Sequence, residues 1–182
     1  MRRLILFRHG KAETAGPSGG DKERPLAERG WADSAVTAQW LKETGFVPDL
    51  VLVSPSVRTR ETWEAAQSCF PAACVDFRER LYLADPRAIE EVIGAASRDA
   101  ETVMVIGHNP GLQDLGVEIV ADGGAPRPQA RHMEDGFPTA AAWVFRINNV
   151  GEAALEAGYE PPRRAGDPPR WQYLEQIRGG HG

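Results

Sequence analysis

The chain has 182 residues, 42% of them hydrophobic and 26% charged; this suits one domain with a full core and excludes a disordered, collagenous or disulfide-scaffold protein. The net charge of -5 excludes a general affinity for nucleic acid or anionic membrane, which needs a basic surface. It leaves room for an anionic substrate, because a few arginines in one pocket can bind phosphate while the whole molecule stays acidic.

The N-terminal stretch MRRLILFRHG has a basic start, but its apolar run, Leu4 to Phe7, stops at Arg8. A signal peptide needs roughly 7–15 apolar residues and a membrane span about 20, so a cytoplasmic protein is expected. The run reads instead as a buried strand. Leu50 to Val53 and Val103 to Ile106 read the same way. All three end in polar or glycine-containing segments: RHG, SPS and GHNPG.

Helical segments lie between them. The first runs from Ala27 to Thr44, ended by Gly45 and Pro48, although its apolar residues share no clean face. The second runs from Arg58 to Phe70, with Thr62, Ala65, Ala66 and Cys69 on one side. The third begins at Pro86 and lines up Ile89, Val92, Ile93 and Ala96. The fourth begins near Pro110 and lines up Leu112, Leu115, Ile119 and Val120.

Beyond Ala121 the polar, Gly- and Pro-rich DGGAPRPQARHMEDG predicts an exposed loop. Strands follow at Thr139 to Ile147 and Ala153 to Tyr159, paired across a turn at Asn149, Val150 and Gly151. The proline-rich EPPRRAGDPPRW predicts a tail extended over the surface. Alternating strands and helices imply an α/β fold, a three-layer sandwich with a mostly parallel central sheet flanked by helices. Residues 1–182 read as a single domain, with about 160–182 as a C-terminal extension.

In open α/β sheets, ligands bind beyond the carboxyl ends of the strands. The first predicted strand ends in Arg8-His9-Gly10, the second in Ser54-Pro55 with Arg58 following, and the third in Gly107-His108-Asn109-Pro110. If these strands are parallel neighbours, two arginines and two histidines meet at one sheet edge. An arginine fork matches phosphate oxygens, and a neutral imidazole is a good nucleophile toward phosphorus. A second imidazole, if protonated, would help neutralise the transferring phosphoryl group, and helix starts near Arg58 and Pro110 would add N–H donors.

Each residue also has a plainer explanation. Arg-His-Gly is short enough to occur by chance, His108 could cap the next helix, and Arg58 could pair with Glu61 or Glu64 on the surface. Their joint placement after three strands is what points to a site. His132 and His181 lie in polar segments and are not expected to be catalytic. Cys69 and Cys74 have no His or further Cys nearby, so free thiols are expected. The histidines lack carboxylates at ligand spacing, and GVEIVADGG is no dinucleotide fingerprint, so neither metal nor cofactor is expected.

The stretches LFRHGKAE from Leu6, DKERPLAERG from Asp21, LVSPSVRTRET from Leu52, IGHNPGL from Ile106 and FPTAAAWVF from Phe137 together resemble the histidine phosphatase superfamily, which includes phosphoglycerate mutases. Within it they resemble the small SixA-type phosphohistidine phosphatases. RHG alone is weak; RHG, SP-x-x-RT-x-ET and GHNP in that order are specific. The resemblance reaches from the N-terminus to about Phe145. It implies a phosphoglycerate mutase-like fold and a reaction through phosphorylated His9, with Arg8 and Arg58 binding phosphoryl oxygens and His108 completing the pocket. Asp21 and Arg24 fall near the site in this comparison, without a catalytic role.

The chain also departs from the pattern. Ala27 stands where family members often carry a Ser or Thr able to cap the first helix. FRERLYLADPRA stands where mutases and phosphomonoesterases carry a Glu followed by a Gly-x-Trp-Glu-Gly-like stretch, and the chain has no room for their helical cap. An alkoxide leaves poorly without a general acid, whereas an imidazole, with a pKa of about 6.5, departs readily. These absences favour hydrolysis of a phosphohistidine carried on a phosphotransfer domain or phosphocarrier protein. The alternatives are a phosphomonoesterase on a small phosphorylated metabolite, with Glu79 or Asp85 as acid, and an inactive phosphate- or phosphoprotein-binding module.

Overall fold

A computed structural model of the chain describes residues 1–17, 19–97, 99–121, 124–148, 151–164 and 166–175. Seven strands form one sheet in the order β3-β2-β4-β1-β5-β6-β7. They are β1 (Arg3–Arg8), β2 (Leu50–Val53), β3 (Cys74–Phe77), β4 (Thr102–Gly107), β5 (Ala142–Ile147), β6 (Ala153–Glu160) and β7 (Trp171–Leu174). The helices are α1 (Glu28–Glu43), α2 (Val57–Ala66), α3 (Pro86–Ala96), α4 (Gly111–Val120) and α5 (Arg127–Asp135).

The central strands are apolar through their interiors, from Leu4 to Phe7, Val51 to Val53 and Val103 to Ile106, because both faces are covered. On β1, Leu4 and Leu6 face a core shared with Ile89 and Val92 of α3, Leu112 and Leu115 of α4, and Met133 of α5. The alternate residues Ile5 and Phe7 face a second core with Ala38 and Leu41 of α1 and Trp63 and Ala66 of α2. This is the expected three-layer α/β sandwich.

Its sheet is less parallel than predicted. β3, β2, β4 and β1 pair in parallel, whereas β1–β5, β5–β6 and β6–β7 pair antiparallel. A parallel neighbour needs a long crossover, which the helices supply up to β4; the short connections after β5 permit only antiparallel returns. The predicted turn lies at 149 and 150, outside the described residues, as does His181.

Three further elements differ from expectation. The predicted loop at 122–136 contains α5, whose single buried residue, Met133, leaves little apolar signal. The predicted surface tail contains β7, which pairs with β6 from Ala157–Leu174 to Glu160–Trp171. β3 is an edge strand of sequence CVDF, half-exposed and lacking an apolar run. Cys69 and Cys74 are free thiols. Among the described residues, no helix is long and apolar enough to cross a membrane.

Candidate active site

β1, β2 and β4 are adjacent and parallel, so their carboxyl ends open on the same edge. Arg8 is the last residue of β1, with His9 next. Ser54 follows β2, and Arg58 sits in the first turn of α2. His108 follows β4. Arg8, His9, Arg58 and His108 line one cleft of about 460 Å³, together with Lys11 and Arg24. That volume far exceeds a phosphoryl group, so much of the cleft is free for whatever carries it. The rings of His9 and His108 lie 5.2 Å apart between centroids.

The hydrogen bonds fix both tautomers. His9 Nδ1 lies 2.7 Å from the carbonyl of Gly10. A carbonyl only accepts, so Nδ1 carries the proton and Nε2 holds the lone pair. His108 Nδ1 lies 3.3 Å from Arg58 Nη2, which only donates, so this nitrogen accepts. Its Nε2–H therefore donates to Ser54 Oγ at 2.7 Å. Burial, aided by the neighbouring arginines, lowers the pKa of His9 to about 4. Burial, with His9 and Arg58 adding to it, lowers that of His108 to about 3. Both rings are therefore neutral at neutral pH.

Arg8 Nη1 donates to the carbonyl of Phe137, while Nε is buried without a protein partner among the described residues. Burial lowers the pKa of this guanidinium. Arg58 is only 3% exposed, and it pairs not with Glu61 or Glu64 but with Asp21, from the segment between β1 and α1. Asp21 also accepts from Arg24 and from Tyr82. Those hydrogen bonds, Tyr82 foremost, hold its carboxyl well below the usual carboxylate range.

The proposed acids are elsewhere. Glu79 is held at 2.7 Å by Lys22 in the open, and the Asp85 carboxylate caps α3 by accepting from Ala88 N; neither lines the cleft. His132 is not in an exposed loop. It stacks on Trp171 and binds Glu160 at 2.7 Å, fastening α5 to the β6–β7 end of the sheet. Among the described residues, no cluster of three or more His, Cys, Asp or Glu side chains is placed to hold a metal ion.

The profile of the Histidine phosphatase superfamily (branch 1) matches residues 4–82. The phosphohistidine phosphatase SixA of Escherichia coli is 30% identical over 120 residues, covering 64% of this chain and 73% of its own length. The chain belongs to the histidine phosphatase superfamily. The Mycobacterium tuberculosis protein MT1313 is 32% identical over 159 residues, 84% of this chain and 98% of that one. The crystal structure of a SixA-type protein from Agrobacterium tumefaciens superposes with a TM-score of 0.77 at 28% identity, covering 88% of this chain and 98% of the other. The protein is accordingly a phosphatase with a phosphoglycerate mutase-like fold.

In this histidine phosphatase the motif residues around the cleft have structural work that sequence spacing did not reveal. Thr62 Oγ1 donates to the carbonyl of Arg58 and accepts from Gly10 N, joining the RHG turn to α2. Thr59 Oγ1 donates to the carbonyl of Ser54 at 2.6 Å. Glu61 accepts from Leu26 N, anchoring the start of α1, where Ala27 supplies no side-chain cap. Ala140 N donates to the carbonyls of Arg8 and His9, which ties FPTAA to RHG. Gly10 is needed for close approach: a Cβ there would meet the Gly30 carbonyl at 2.5 Å and Ser34 Oγ at 2.6 Å. The signal for these residues was the motif strings themselves, RTRET and FPTAA; their partners are set only by the fold.

Proposed function

We propose that the protein hydrolyses a phosphohistidine carried on another protein, with His9 as nucleophile. The observation carrying this reading is the His9 tautomer. Its Nδ1–H is committed to the Gly10 carbonyl, leaving the Nε2 lone pair for phosphorus. Arg8 and Arg58 supply donors for the phosphoryl oxygens, and His108 borders the same space.

In the first step, Nε2 attacks phosphorus and the P–N bond of the substrate breaks. The departing imidazole takes a proton from water at the open mouth. The phosphorylated His9 ring is cationic, because Nδ1 keeps its proton, which makes it a good leaving group in turn. Water then attacks phosphorus, the P–Nε2 bond breaks, and phosphate leaves with one proton released. The incoming phosphoryl charge opposes the depression of the His108 pKa, and proton uptake at Nδ1 turns that ring from acceptor to donor.

The carboxylates support this substrate class. The one acidic residue among the described residues lining the cleft, Asp21, is bound by Arg58, Arg24 and Tyr82 and is held ionised, so it is poorly suited to donate a proton. Glu79 and Asp85 are engaged outside it. A substrate whose leaving group departs without strong acid help fits this arrangement. The test compares kcat/KM for a phosphohistidine peptide with that for sugar phosphates. A preference of at least about a hundredfold for the peptide is expected. Equal turnover of a sugar phosphate, lost on Glu79→Gln, would overturn the assignment in favour of a phosphomonoesterase.

A further inference from the structure

Leu83 stands on the wall of the cleft and is 56% exposed, the most exposed large apolar side chain among the described residues. Its backbone has φ +50°, a left-handed conformation that a leucine rarely adopts. Such strain persists where the surroundings over-determine the chain.

The surroundings here do so. Leu81 is 2% exposed in the core beneath α3. The hydroxyl of Tyr82 donates to Asp21 at 2.7 Å, and its ring meets the edge of His108. On the other side, Ala84 packs its carbonyl so closely on Gly111 that a Cβ there would collide with it, and Asp85 caps α3. Leu83 is thus turned out to solvent from a segment fixed on both flanks, beside the histidines.

An apolar side chain there has no use for a bare phosphate or a sugar phosphate, whose contacts are polar. It suits a polypeptide that places its own apolar side chain next to the phosphorylated residue. The charges agree with this division: Arg8, Lys11, Arg24 and Arg58 line the cleft with the single carboxylate Asp21, a balance that suits the phosphoryl group. Leu83 is left for the neighbour.

We infer that Leu83 is a specificity-determining contact, receiving an apolar side chain adjacent to the phosphohistidine of the substrate polypeptide. The inference rests on the phosphohistidine assignment proposed above.

Two synthetic phosphohistidine peptides test it, one with leucine on both sides of the phosphorylated residue and one with serine. The wild-type protein is expected to favour the leucine peptide by about fivefold or more in kcat/KM. In Leu83→Gly the ratio should fall close to one. Glycine accepts φ +50° without strain, so this variant keeps its fold. Leu83→Asn, which tolerates the same backbone with a polar side chain, should behave alike. No preference in the wild type, or an equal preference in wild type and both variants, would overturn the inference while leaving the phosphohistidine assignment standing. Hydrolysis of neither peptide, with phosphoramidate still turned over, would overturn both.

Discussion

Asp21 holds the Arg58 guanidinium by two of its nitrogens: Nη1 donates to the Asp21 main-chain carbonyl at 2.6 Å and Nη2 to its carboxylate at 2.9 Å. The pairing crosses from the segment after β1 to the first turn of α2, and through Nη2 it reaches His108. It fixes the fork proposed to meet the phosphoryl group, and it offsets the burial of a charge that is only 3% exposed.

Asp21→Ala should therefore weaken both fold and function. Asp21 is half-exposed, so the loss of stability lies near the lower end for broken charged hydrogen bonds, about 1–2 kcal/mol. A fall in kcat/KM of about tenfold is expected from the loosened fork. Urea unfolding and steady-state kinetics check the two parts. Asp21→Asn, which keeps an acceptor for Arg58, should lose less of each.

Ser54 accepts the hydrogen bond from Nε2–H that sets the His108 tautomer. Ser54→Ala leaves a buried N–H without a partner, at a cost of about 1–3 kcal/mol. The ring also loses the contact that holds it in place beside Arg58. Loss of oxyanion affinity is expected beyond the loss of stability, measurable as weaker inhibition by inorganic tungstate. Wild-type inhibition in this variant would remove Ser54 from the account of the site.

The close approach of Gly10 to α1 makes Gly10→Ala an overpacking substitution, because the obstructing groups are the Gly30 carbonyl and Ser34. Destabilisation of about 1–3 kcal/mol is expected, read from the thermal or urea midpoint. Gly45→Ala is a contrast: nothing obstructs a Cβ there, and its cost comes from φ +81° alone.

Acidification should destabilise the protein through the two histidines. In the unfolded chain an imidazole takes a proton near pH 6.5; in the folded protein His9 does so only near about 4 and His108 near about 3. Between those values the unfolded chain holds more protons. The stability they contribute is full above about pH 6.5 and is lost as the pH falls toward 4. His108→Gln should show a smaller drop in melting temperature between pH 7 and pH 5 than wild type. For the same reason, the acid limb of kcat/KM governed by His9 in the free enzyme lies near pH 4 rather than near 6.5.

The central strands and the main helices were legible because burial on two faces leaves long apolar runs and regular stripes. The four cleft residues were legible because each follows such a run. What escaped, or like α1 was read without a clean face, had its period hidden. In α1, Ser34 and Thr37 face inward, satisfied by the carbonyls of Gly30 and Ala140, so the buried face does not read as apolar. α5 buries one residue, and β3 and β7 are short edge strands with half-exposed side chains. Asp21, Ser54 and Thr62 lie in the motif stretches, but their partners, like those of Tyr82, are far apart in sequence, and no local pattern announces the pairings.

The proposed role of His9 as carrier of the phosphoryl group underlies the mechanism. It is tested most directly by intact mass after brief incubation with phosphoramidate, quenched in acid or in base. A phosphoryl adduct is expected that survives base, is lost in acid, and is absent in His9→Ala, which also ceases to hydrolyse the donor. Hydrolysis of phosphoramidate by His9→Ala at the wild-type rate, with no adduct on either protein, would contradict it.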